Sequence, residues 1–323
     1  MKILCLTPVK HLNDIYNSLE SFCGGKHLDY RPQFVSEDFT YWLSSYRDLS
    51  DYDVIFCNPN KQNYVLDETI LSTFRGVILT ASTGLNHIDV DYCNENGIKV
   101  LSHKYDYDLL NDLPSTSELA FGLMISLMRN IPSGYNHVKS GGWDYEPYVG
   151  HQIKGKTIGV IGYGRLGKIM CDLFSGWGVK LLASDPYERI TTARGTPRLE
   201  LLEKSDVVFL HTHVTDETRG MVDDEFLSQM KQGSYLINTA RGELVDEGSI
   251  IKSIEQGHLK GYGTDVIKDE FGDIQNSKLV EFSMNPNNNV VITPHIGGMT
   301  IEGQTKAYLW AVEKFKKEDY EVN

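Results

Sequence analysis

The sequence has few cysteines, and nothing in their spacing would pair them. Cys5, Cys23, Cys57, Cys93 and Cys171 are odd in number, lie far apart and form no CxxC motif. This pattern predicts neither a disulfide framework nor a cysteine-based zinc site. We interpret these residues as buried thiols in a reducing compartment, and we therefore expect a cytoplasmic protein.

Long hydrophobic runs and an excess of positive charge are missing too. No run of about 18 apolar residues occurs, and the apolar part of the N-terminal segment MKILCLTPVK is too short for a signal peptide. The 31 Lys and Arg are outnumbered by 44 Asp and Glu, which gives a formal net charge of -13. Such a charge disfavours nucleic acid and anionic membranes as partners. An anionic small-molecule substrate would then need a local basic site.

The sequence does contain short apolar runs that alternate with amphipathic stretches. These runs lie at 3–6, 54–57, 77–79, 98–101, 157–161, 179–183, 206–210, 235–237 and 290–292. Apolar strands that alternate with helices favour a parallel sheet covered by helices on both faces. Because 323 residues exceed what one compact core usually holds, we predict an α/β fold with two doubly wound domains.

A glycine-rich turn follows the apolar run at 157–161. Its residues, which form the pattern GxGxxG, are Gly162, Tyr163, Gly164, Arg165, Leu166 and Gly167. The first glycine permits a tight turn, the second lets the backbone approach a pyrophosphate, and the third lets the next helix pack on the strand. We expect the amides of residues 165–167 to face phosphate groups at the positive end of the helix dipole.

An acid at the end of the next apolar run supports the same interpretation. Asp185 follows the glycine turn at about the 20-residue distance at which such units place a carboxylate against an adenosine ribose. Because an anion there accepts from ribose hydroxyls and repels a 2'-phosphate, we predict NAD rather than NADP as the cofactor. Arg189 lies close enough in sequence to soften that preference.

Polar residues follow the predicted strands of the second half. His211 and His213 come after 206–210, Arg241 after 235–237, Asp265 after a weak strand at 261–264, and His295 after 290–292. Since the carboxyl ends of parallel strands meet at one edge, we expect these side chains to converge. The HxH motif of His211 and His213 has no carboxylate or cysteine at ligand spacing, so we predict no metal site.

Three of the residues at this edge suit acid–base chemistry on a carboxylic acid. Arg241 offers a planar fork for bidentate capture of a carboxylate, although a loop arginine is also typical of structural ion pairs. Glu270, if it reaches His295, would raise the pKa of that histidine and make it a proton donor near neutral pH. Taken alone, His295 is more typical of a packing residue than of a catalyst, and Glu270 is typical of a surface charge.

Five ordered motifs together resemble the D-isomer-specific 2-hydroxyacid dehydrogenase family. They are GVIGYGRLGK, SDVVFLHTHVTDETRGMV, INTARGELVDEGSI, GYGTDVIKDE and TPHIGGMT, and the resemblance extends over nearly the whole chain. It implies a Rossmann NAD-binding domain inserted into a flavodoxin-like substrate domain. The expected bounds are 104–296 for the NAD-binding domain and 1–103 with 297–323 for the substrate-binding domain.

The resemblance also implies a role for each matched residue. Arg241 would orient the oxo acid, Glu270 would support His295, and His295 would exchange the proton. Asp265 would hold the nicotinamide carboxamide, and Asp185 the ribose. Further residues expected to bind the cofactor are His211, Thr212, His213, Thr218, Thr239 and Ala240, with Arg241 and His295 contributing to both sites. The residues expected to bind the substrate carboxylate through a loop are Ser82, Thr83 and Gly84.

The implied activity is NAD-dependent interconversion of a 2-oxo acid and a D-(R)-2-hydroxy acid. Two alternatives stay open, namely an NAD(H)-sensing interaction protein related to transcriptional corepressors and a dehydrogenase of a non-carbon acid such as phosphite. We expect a homodimer formed through the nucleotide-binding domains. An apolar helix that begins with Ser115 or Thr116 as its cap is expected to be covered either by both domains or by a second subunit. A Gly- and aromatic-rich arm at 140–150 is a candidate contact with that subunit.

Overall fold

The computed structural model describes residues 1–22, 27–31, 48–59, 64–270 and 274–320. The chain divides into two compact units. Unit 1 comprises residues 1–113 and 300–323, and unit 2 comprises residues 114–299. Each unit is built on its own parallel sheet.

The described part of unit 1 contains a five-stranded parallel sheet. Its strands are β1 (Ile3–Cys5), β2 (Leu28–Tyr30), β3 (Val54–Phe56), β4 (Val77–Leu79) and β5 (Lys99–Leu101). Their order, β2-β1-β3-β4-β5, is the doubly wound order of flavodoxin-like folds. The helices are Asn13–Phe22, Glu68–Leu71, Val90–Glu95, Tyr107–Leu110 and Ile301–Tyr320.

Alternation along the strands distributes the core of unit 1 over two faces. Ile3 and Cys5 face one cluster of buried residues, whereas Leu4 between them belongs to the other. This follows from the two-residue period of a strand, because every residue of a strand covered on both sides is buried. The helix Ile301–Tyr320 completes the first cluster. Unit 1 therefore needs the last part of the chain to close its core.

The described part of unit 2 contains a seven-stranded parallel sheet. Its strands are β6 (Thr157–Ile161), β7 (Lys180–Ser184), β8 (Arg194–Gly195), β9 (Val207–Leu210), β10 (Ser234–Asn238), β11 (Leu259–Thr264) and β12 (Val290–Ile292). Their order, β12-β11-β10-β9-β6-β7-β8, is the Rossmann order extended by one strand. The helices are Ser115–Met128, Ile131–Lys139, Arg165–Leu173, Arg198–Lys204, Asp224–Gln229, Glu247–Glu255 and Lys278–Ser283.

Both units confirm the predicted α/β fold, and their limits differ somewhat from the expected domain bounds. Unit 1 extends to residue 113 instead of 103, and resumes at residue 300 instead of 297. The helix Tyr107–Leu110 explains the first difference, because Leu109 and Leu110 are buried. In addition, Lys314 of the last helix donates to the Asp106 carboxylate at 2.9 Å.

The helix Ser115–Met128 corrects the predicted cap. Pro114 occupies the N-cap position, and no side chain makes a capping hydrogen bond there. A proline suits the start of a helix because its fixed φ, here -82°, is already close to helical. One face of this helix packs on the sheet of unit 2 through Leu123, Met124 and Leu127.

The segment predicted as an arm follows a second helix that the sequence interpretation did not include. This helix, Ile131–Lys139, buries none of its residues, and a short 3-10 helix, Glu146–Tyr148, lies within the arm. Among the described residues, no helix is both long and apolar enough to cross a membrane.

Candidate active site

Parallel strands bring the predicted site residues of unit 2 to one edge of its sheet. The glycine turn follows β6, His211 follows β9, the segment 239–241 follows β10, Asp265 follows β11, and His295 lies three residues beyond β12. All these strands point the same way, so their carboxyl ends share this edge. Ligands of open α/β sheets bind at such an edge.

The glycine turn leaves open space at only one of its three glycines. Gly162 has φ +90°, and a Cβ there would lie 2.5 Å from the His211 carbonyl oxygen. A Cβ on Gly167 would lie 2.0 Å from the Gly162 carbonyl oxygen. In contrast, a Cβ on Gly164 would meet no atom of the described chain within 4 Å. Gly164 is also the N-cap of the helix Arg165–Leu173, so the open space lies at a helix N-terminus, where phosphates bind.

Asp185 is held beside this turn by backbone amides. Its carboxylate accepts from the Tyr163 amide at 2.7 Å, from the Tyr187 amide at 2.8 Å and from the Glu188 amide at 3.0 Å. Burial raises the pKa of Asp185, but these hydrogen bonds outweigh it and leave the pKa below its ordinary value. The carboxylate is therefore ionised and fixed, as a ribose-binding acid must be.

Polar atoms without a partner line the same edge. Both ring nitrogens of His211 and the hydroxyl of Thr239 are buried and make no hydrogen bond within the part of the chain that the structure describes. Burial, followed by the charge of Arg165, lowers the pKa of His211 to about 4, so its ring is neutral. Buried polar groups are usually satisfied, and these atoms fit a bound polar molecule. Together with the open space at Gly164, they fit a dinucleotide.

His295 and Glu270 form a close pair. The Nδ1 atom of His295 lies 2.9 Å from Oε1 and 3.0 Å from Oε2 of Glu270. The hydrogen bond that His295 makes to the Glu270 carboxylate raises the pKa of His295, and burial lowers it. The negative charges of Glu270 and Asp265 raise it further. The positive charge of Arg241 acts in the opposite direction. Since Glu270 engages Nδ1, Nε2 is the nitrogen available to a reacting group, and the side chain is 48% exposed.

Asp265 fixes the turn that carries His295. Its Oδ1 accepts from the Thr293 hydroxyl at 2.5 Å and from the Ile296 amide at 2.8 Å, and its Oδ2 accepts from the Gly297 amide at 2.7 Å. The His295 amide donates to the Asp265 carbonyl at 2.9 Å, with His295 at φ +54°. A left-handed conformation is unusual for a residue other than glycine and persists only where surrounding bonds determine it.

Asn238 fixes the segment that carries Arg241. Its Nδ2 donates to the Arg241 carbonyl at 2.9 Å, and its Oδ1 accepts from the Ala240 amide at 3.0 Å. Neither Asn238 nor Thr293 was among the predicted site residues. The available signal was a polar residue at the end of an otherwise apolar strand, because such a residue, when buried, needs a specific partner.

The remaining predicted residues fall into two places. In unit 2, Thr212 and His213 follow β9, and the Thr218 hydroxyl donates to the His213 carbonyl at 2.6 Å, which closes the loop. In unit 1, residues 82–84 follow β4, and the Ser82 hydroxyl donates to the Gly84 carbonyl at 2.8 Å. No group of three or more His, Cys, Asp and Glu that could hold a metal ion occurs among the described residues.

Comparisons with known proteins agree with this arrangement. The family model described as "D-isomer specific 2-hydroxyacid dehydrogenase, NAD binding domain" matches residues 121–297. The chain is 34% identical over 245 residues to the hydroxypyruvate reductase of Thermotoga maritima, covering 75% of this chain and 77% of the relative. It is 33% identical over 233 residues to the D-3-phosphoglycerate dehydrogenase of Bacillus subtilis, covering 71% of this chain but only 42% of that relative.

A solved structure resembles the whole chain. The D-lactate dehydrogenase from Aquifex aeolicus, complexed with NAD and lactic acid, superposes with a TM-score of 0.76 at 26% sequence identity. The similarity covers 99% of this chain and 97% of that one. It confirms the two doubly wound units, one of which has the strand order of dinucleotide-binding domains.

Proposed function

Because the chain belongs to the D-isomer-specific 2-hydroxyacid dehydrogenase family, we propose that it interconverts a 2-oxo acid and the corresponding (R)-2-hydroxy acid with NAD as its cofactor. The observation that best supports this activity is the close pair of Glu270 and His295 beside Arg241. When bound, NAD supplies or accepts the hydride. The protein must then bind the acid, orient it and move one proton.

His295 moves the proton. In the direction of reduction, the carbonyl oxygen of the substrate gains a proton from Nε2 of the imidazolium, because Glu270 engages Nδ1. Because the pKa of His295 is raised, its ring stays protonated to a higher pH than an ordinary histidine. In the direction of oxidation, the neutral ring takes the hydroxyl proton at the same nitrogen.

Arg241 binds the substrate carboxylate. Its Nη1 donates to the Ala240 carbonyl at 2.7 Å, which orients the guanidinium and leaves other donors of the fork for a carboxylate. From the family resemblance, Ser82, Thr83 and Gly84 in unit 1 stay predicted substrate-binding residues. Asp185 binds the adenosine ribose and disfavours NADP through its fixed negative charge. Gly164, Arg165, Leu166 and Gly167 hold the pyrophosphate.

An absorbance assay tests the activity. Purified protein is mixed with NADH and a panel of 2-oxo acids that includes hydroxypyruvate, its 3-phosphate and pyruvate, and oxidation of NADH is followed. We expect His295→Asn to reduce kcat by about 100-fold or more, the usual contribution of a general acid, with NADH affinity unchanged within twofold. A wild-type protein that binds NADH but reduces no acid of the panel would contradict the proposal and favour a sensing role.

An apolar surface supports the proposed dimer. The exposed residues of the helix Ile131–Lys139 and the following arm include Tyr135 (62% exposed), Trp143 (87%) and Tyr145 (80%). Apolar patches of this kind mark interaction surfaces. We propose that two copies of the chain associate through this surface in the cytoplasm, where the buried Cys5, Cys57, Cys93 and Cys171 stay thiols.

Sedimentation velocity tests the dimer. We expect the wild-type protein to sediment as a dimer and a variant with Tyr135→Glu and Trp143→Ser as a monomer, because the substitutions place charge and polarity on the buried face of the interface. Tyr187→Ser, at an exposed position outside this surface, is the control and should remain dimeric. A monomeric wild-type protein at micromolar concentration would exclude this interface.

A further inference from the structure

A cavity borders the edge of the unit 2 sheet that lies opposite the candidate active site. Its volume is about 680 Å³. Lys156 directly precedes β6, Asp206 directly precedes β9, and Lys231 lies just before β10. The other lining residues come from Arg129, at the end of the helix Ser115–Met128, and from the loop 150–155. Because all strands are parallel, this amino edge is separate from the edge that carries the glycine turn and His295.

The lining of this cavity is strongly basic. Arg129, Lys154, Lys156 and Lys231 contribute positive charge, and Asp206 is the one carboxylate in the described lining. The carboxylate is already engaged, since it accepts from Lys231 Nζ at 2.8 Å and from the Thr157 amide at 2.8 Å. Such a concentration of positive charge stands out in a chain whose net charge is -13.

Three of these cations form no ion pair in the part of the chain that the structure describes, although the charge of Asp206 acts on Lys156 at longer range. Arg129, Lys154 and Lys156 take part in none of the ion pairs among those residues. Like charges that converge in a concave site repel one another, and a bound anion relieves that repulsion. The lining therefore carries more positive charge than its one carboxylate balances.

The positive charges around the cavity also act on His151. His151 is half-buried, and its Nε2 lies 2.8 Å from Lys260 Nζ, a fifth cation at the rim. Because the ammonium group only donates, this nitrogen of His151 accepts. Burial and then the charges of Lys260 and Lys156 lower the pKa of His151, so the ring stays neutral and contributes an acceptor within a positive surround.

We propose that this cavity binds a small anion with charges on adjacent groups, of the diphosphate or triphosphate class. The cavity is large enough to admit such a ligand, and its cations are spread over one helix end, one loop and the starts of two strands, so that several phosphate groups could each meet one. Arg129 offers a bidentate fork, while Lys154 and Lys156 offer point charges. This inference does not depend on the proposed dehydrogenase activity.

Calorimetric titration with sodium pyrophosphate tests the site. The wild-type protein is saturated with NADH so that the glycine turn is filled, divalent cations are omitted, and ionic strength is held constant. We expect pyrophosphate to bind more tightly than orthophosphate. Lys156→Ala and Lys154→Ala should each weaken binding about tenfold, since each removes a charge-assisted contact. If Lys156→Ala does not fold, Lys154→Ala and Arg129→Gln make the same test from other parts of the lining.

Two control variants distinguish pyrophosphate bound in this cavity from pyrophosphate bound elsewhere on the protein. Lys252→Ala removes one positive charge outside the lining, where Lys252 pairs with Asp224, and should leave pyrophosphate affinity unchanged within twofold. Lys168→Ala removes a charge in the helix that follows the glycine turn and should have equally little effect. The proposal is overturned if the wild-type protein binds no pyrophosphate, if Lys252→Ala weakens binding as much as Lys156→Ala, or if only Lys168→Ala does so.

Discussion

At the scale of residues, the chemistry of the candidate site depends on the pair of Glu270 and His295. Two carboxylate oxygens share the Nδ1 proton of one imidazole, at 2.9 and 3.0 Å. Glu270 raises the pKa of His295, whereas the positive charge of Arg241 lowers it. Removal of the Glu270 charge leaves burial and Arg241, which lower the pKa of His295, opposed only by the charge of Asp265.

Glu270→Gln should lower the pKa of His295. The amide of glutamine carries no charge to favour the imidazolium, whereas Arg241 continues to disfavour it. Titration of the His295 ring protons by NMR measures the change. Glu281→Gln, an exposed position on the helix Lys278–Ser283, is the matched control and should leave the His295 pKa in place. An unchanged pKa in Glu270→Gln would remove the pair from the mechanism.

The same pair makes stability depend on pH in a defined direction. The pKa of His295 in the folded protein is raised above the value of about 6.5 in the unfolded chain. Its contribution is therefore fully present below pH of about 6.5 and is lost as pH rises through the folded pKa. Denaturant unfolding at two pH values should show that Glu270→Gln destabilises unit 2 more at pH 6 than at pH 9. A larger loss at pH 9 would contradict this assignment.

Thr293→Val should loosen the turn that carries His295. The substitution keeps the shape of the side chain and removes the hydroxyl that donates to Asp265 at 2.5 Å. A hydrogen bond to a charged group contributes about 1.5–3 kcal/mol, and we expect a loss of that order in the free energy of unfolding. Urea denaturation measures it. Thr215→Val removes an exposed hydroxyl that bonds only to the neutral Thr218, and it should change the free energy of unfolding by about 1 kcal/mol at most.

The sequence predicts that Arg241, Glu270 and His295 converge at one edge of the sheet, and the structure brings Glu270 and His295 together. The sequence was not sufficient for Asn238 and Thr293, which bind a backbone carbonyl and a carboxylate that only the fold brings near. Asp265 was expected to hold the nicotinamide carboxamide. Both of its oxygens also bind the 293–297 turn, and spacing along the chain does not reveal such contacts.

At the scale of elements, two glycines of the turn between β6 and the helix Arg165–Leu173 have different surroundings. Gly162 is required by the backbone around it, whereas Gly164 faces open space. Gly162 has a positive φ, and a Cβ there would meet the backbone of residue 211, which cannot move aside cheaply. Gly164 has neither restriction. The same motif therefore contains positions with different physical requirements.

Gly162→Ala and Gly164→Ala should have opposite consequences. We expect Gly162→Ala to destabilise unit 2 by about 2 kcal/mol or more, because of the clash and the strained φ. Gly164→Ala should leave the free energy of unfolding nearly unchanged but weaken NADH binding by tenfold or more, since its methyl group fills the open space at the helix N-terminus. Denaturation and fluorescence titration of both variants test this, and equal stabilities would refute the distinction.

The sequence predicted the strands β1, β3, β6 and β9 correctly, because a strand that is buried on both faces is a short, nearly continuous apolar run. The strand β2, with the sequence Leu-Asp-Tyr at a sheet edge, and the two-residue β8 lack that pattern. The helix Ile131–Lys139 was also missed. It buries none of its residues, so no packed apolar face marks it in the sequence.

At the scale of the whole molecule, the two units have separate cores. Each of the four clusters of buried residues in the described chain belongs to one unit alone. Unit 2 is continuous in sequence, whereas unit 1 is assembled from residues 1–113 and 300–323. The last helix contributes Ala307, Tyr308, Ala311, Val312 and Phe315 to the core of unit 1.

Truncation after residue 299 should therefore unfold unit 1 and spare unit 2. We expect rapid hydrogen exchange in β1, β3 and β4 of the truncated protein, because their apolar face has lost its cover. Amides of β6, β9 and β10 should stay protected, and NADH should still bind. Phe315→Ala in the full chain is the milder counterpart, with an expected cost of about 3–5 kcal/mol to unit 1. Simultaneous loss of protection in both units would show a single cooperative core.

The split of unit 1 also sets an order for folding during synthesis on the ribosome. The strands β1 to β5 are translated before unit 2, but the helix Ile301–Tyr320 that covers one face of their sheet is translated after it. Unit 2 is therefore translated completely before that helix. Unit 1 begins earlier along the chain but can complete its core only after unit 2 has been translated. Throughout that interval the nascent N-terminal sheet keeps an uncovered apolar face, which is the kind of surface that chaperones bind.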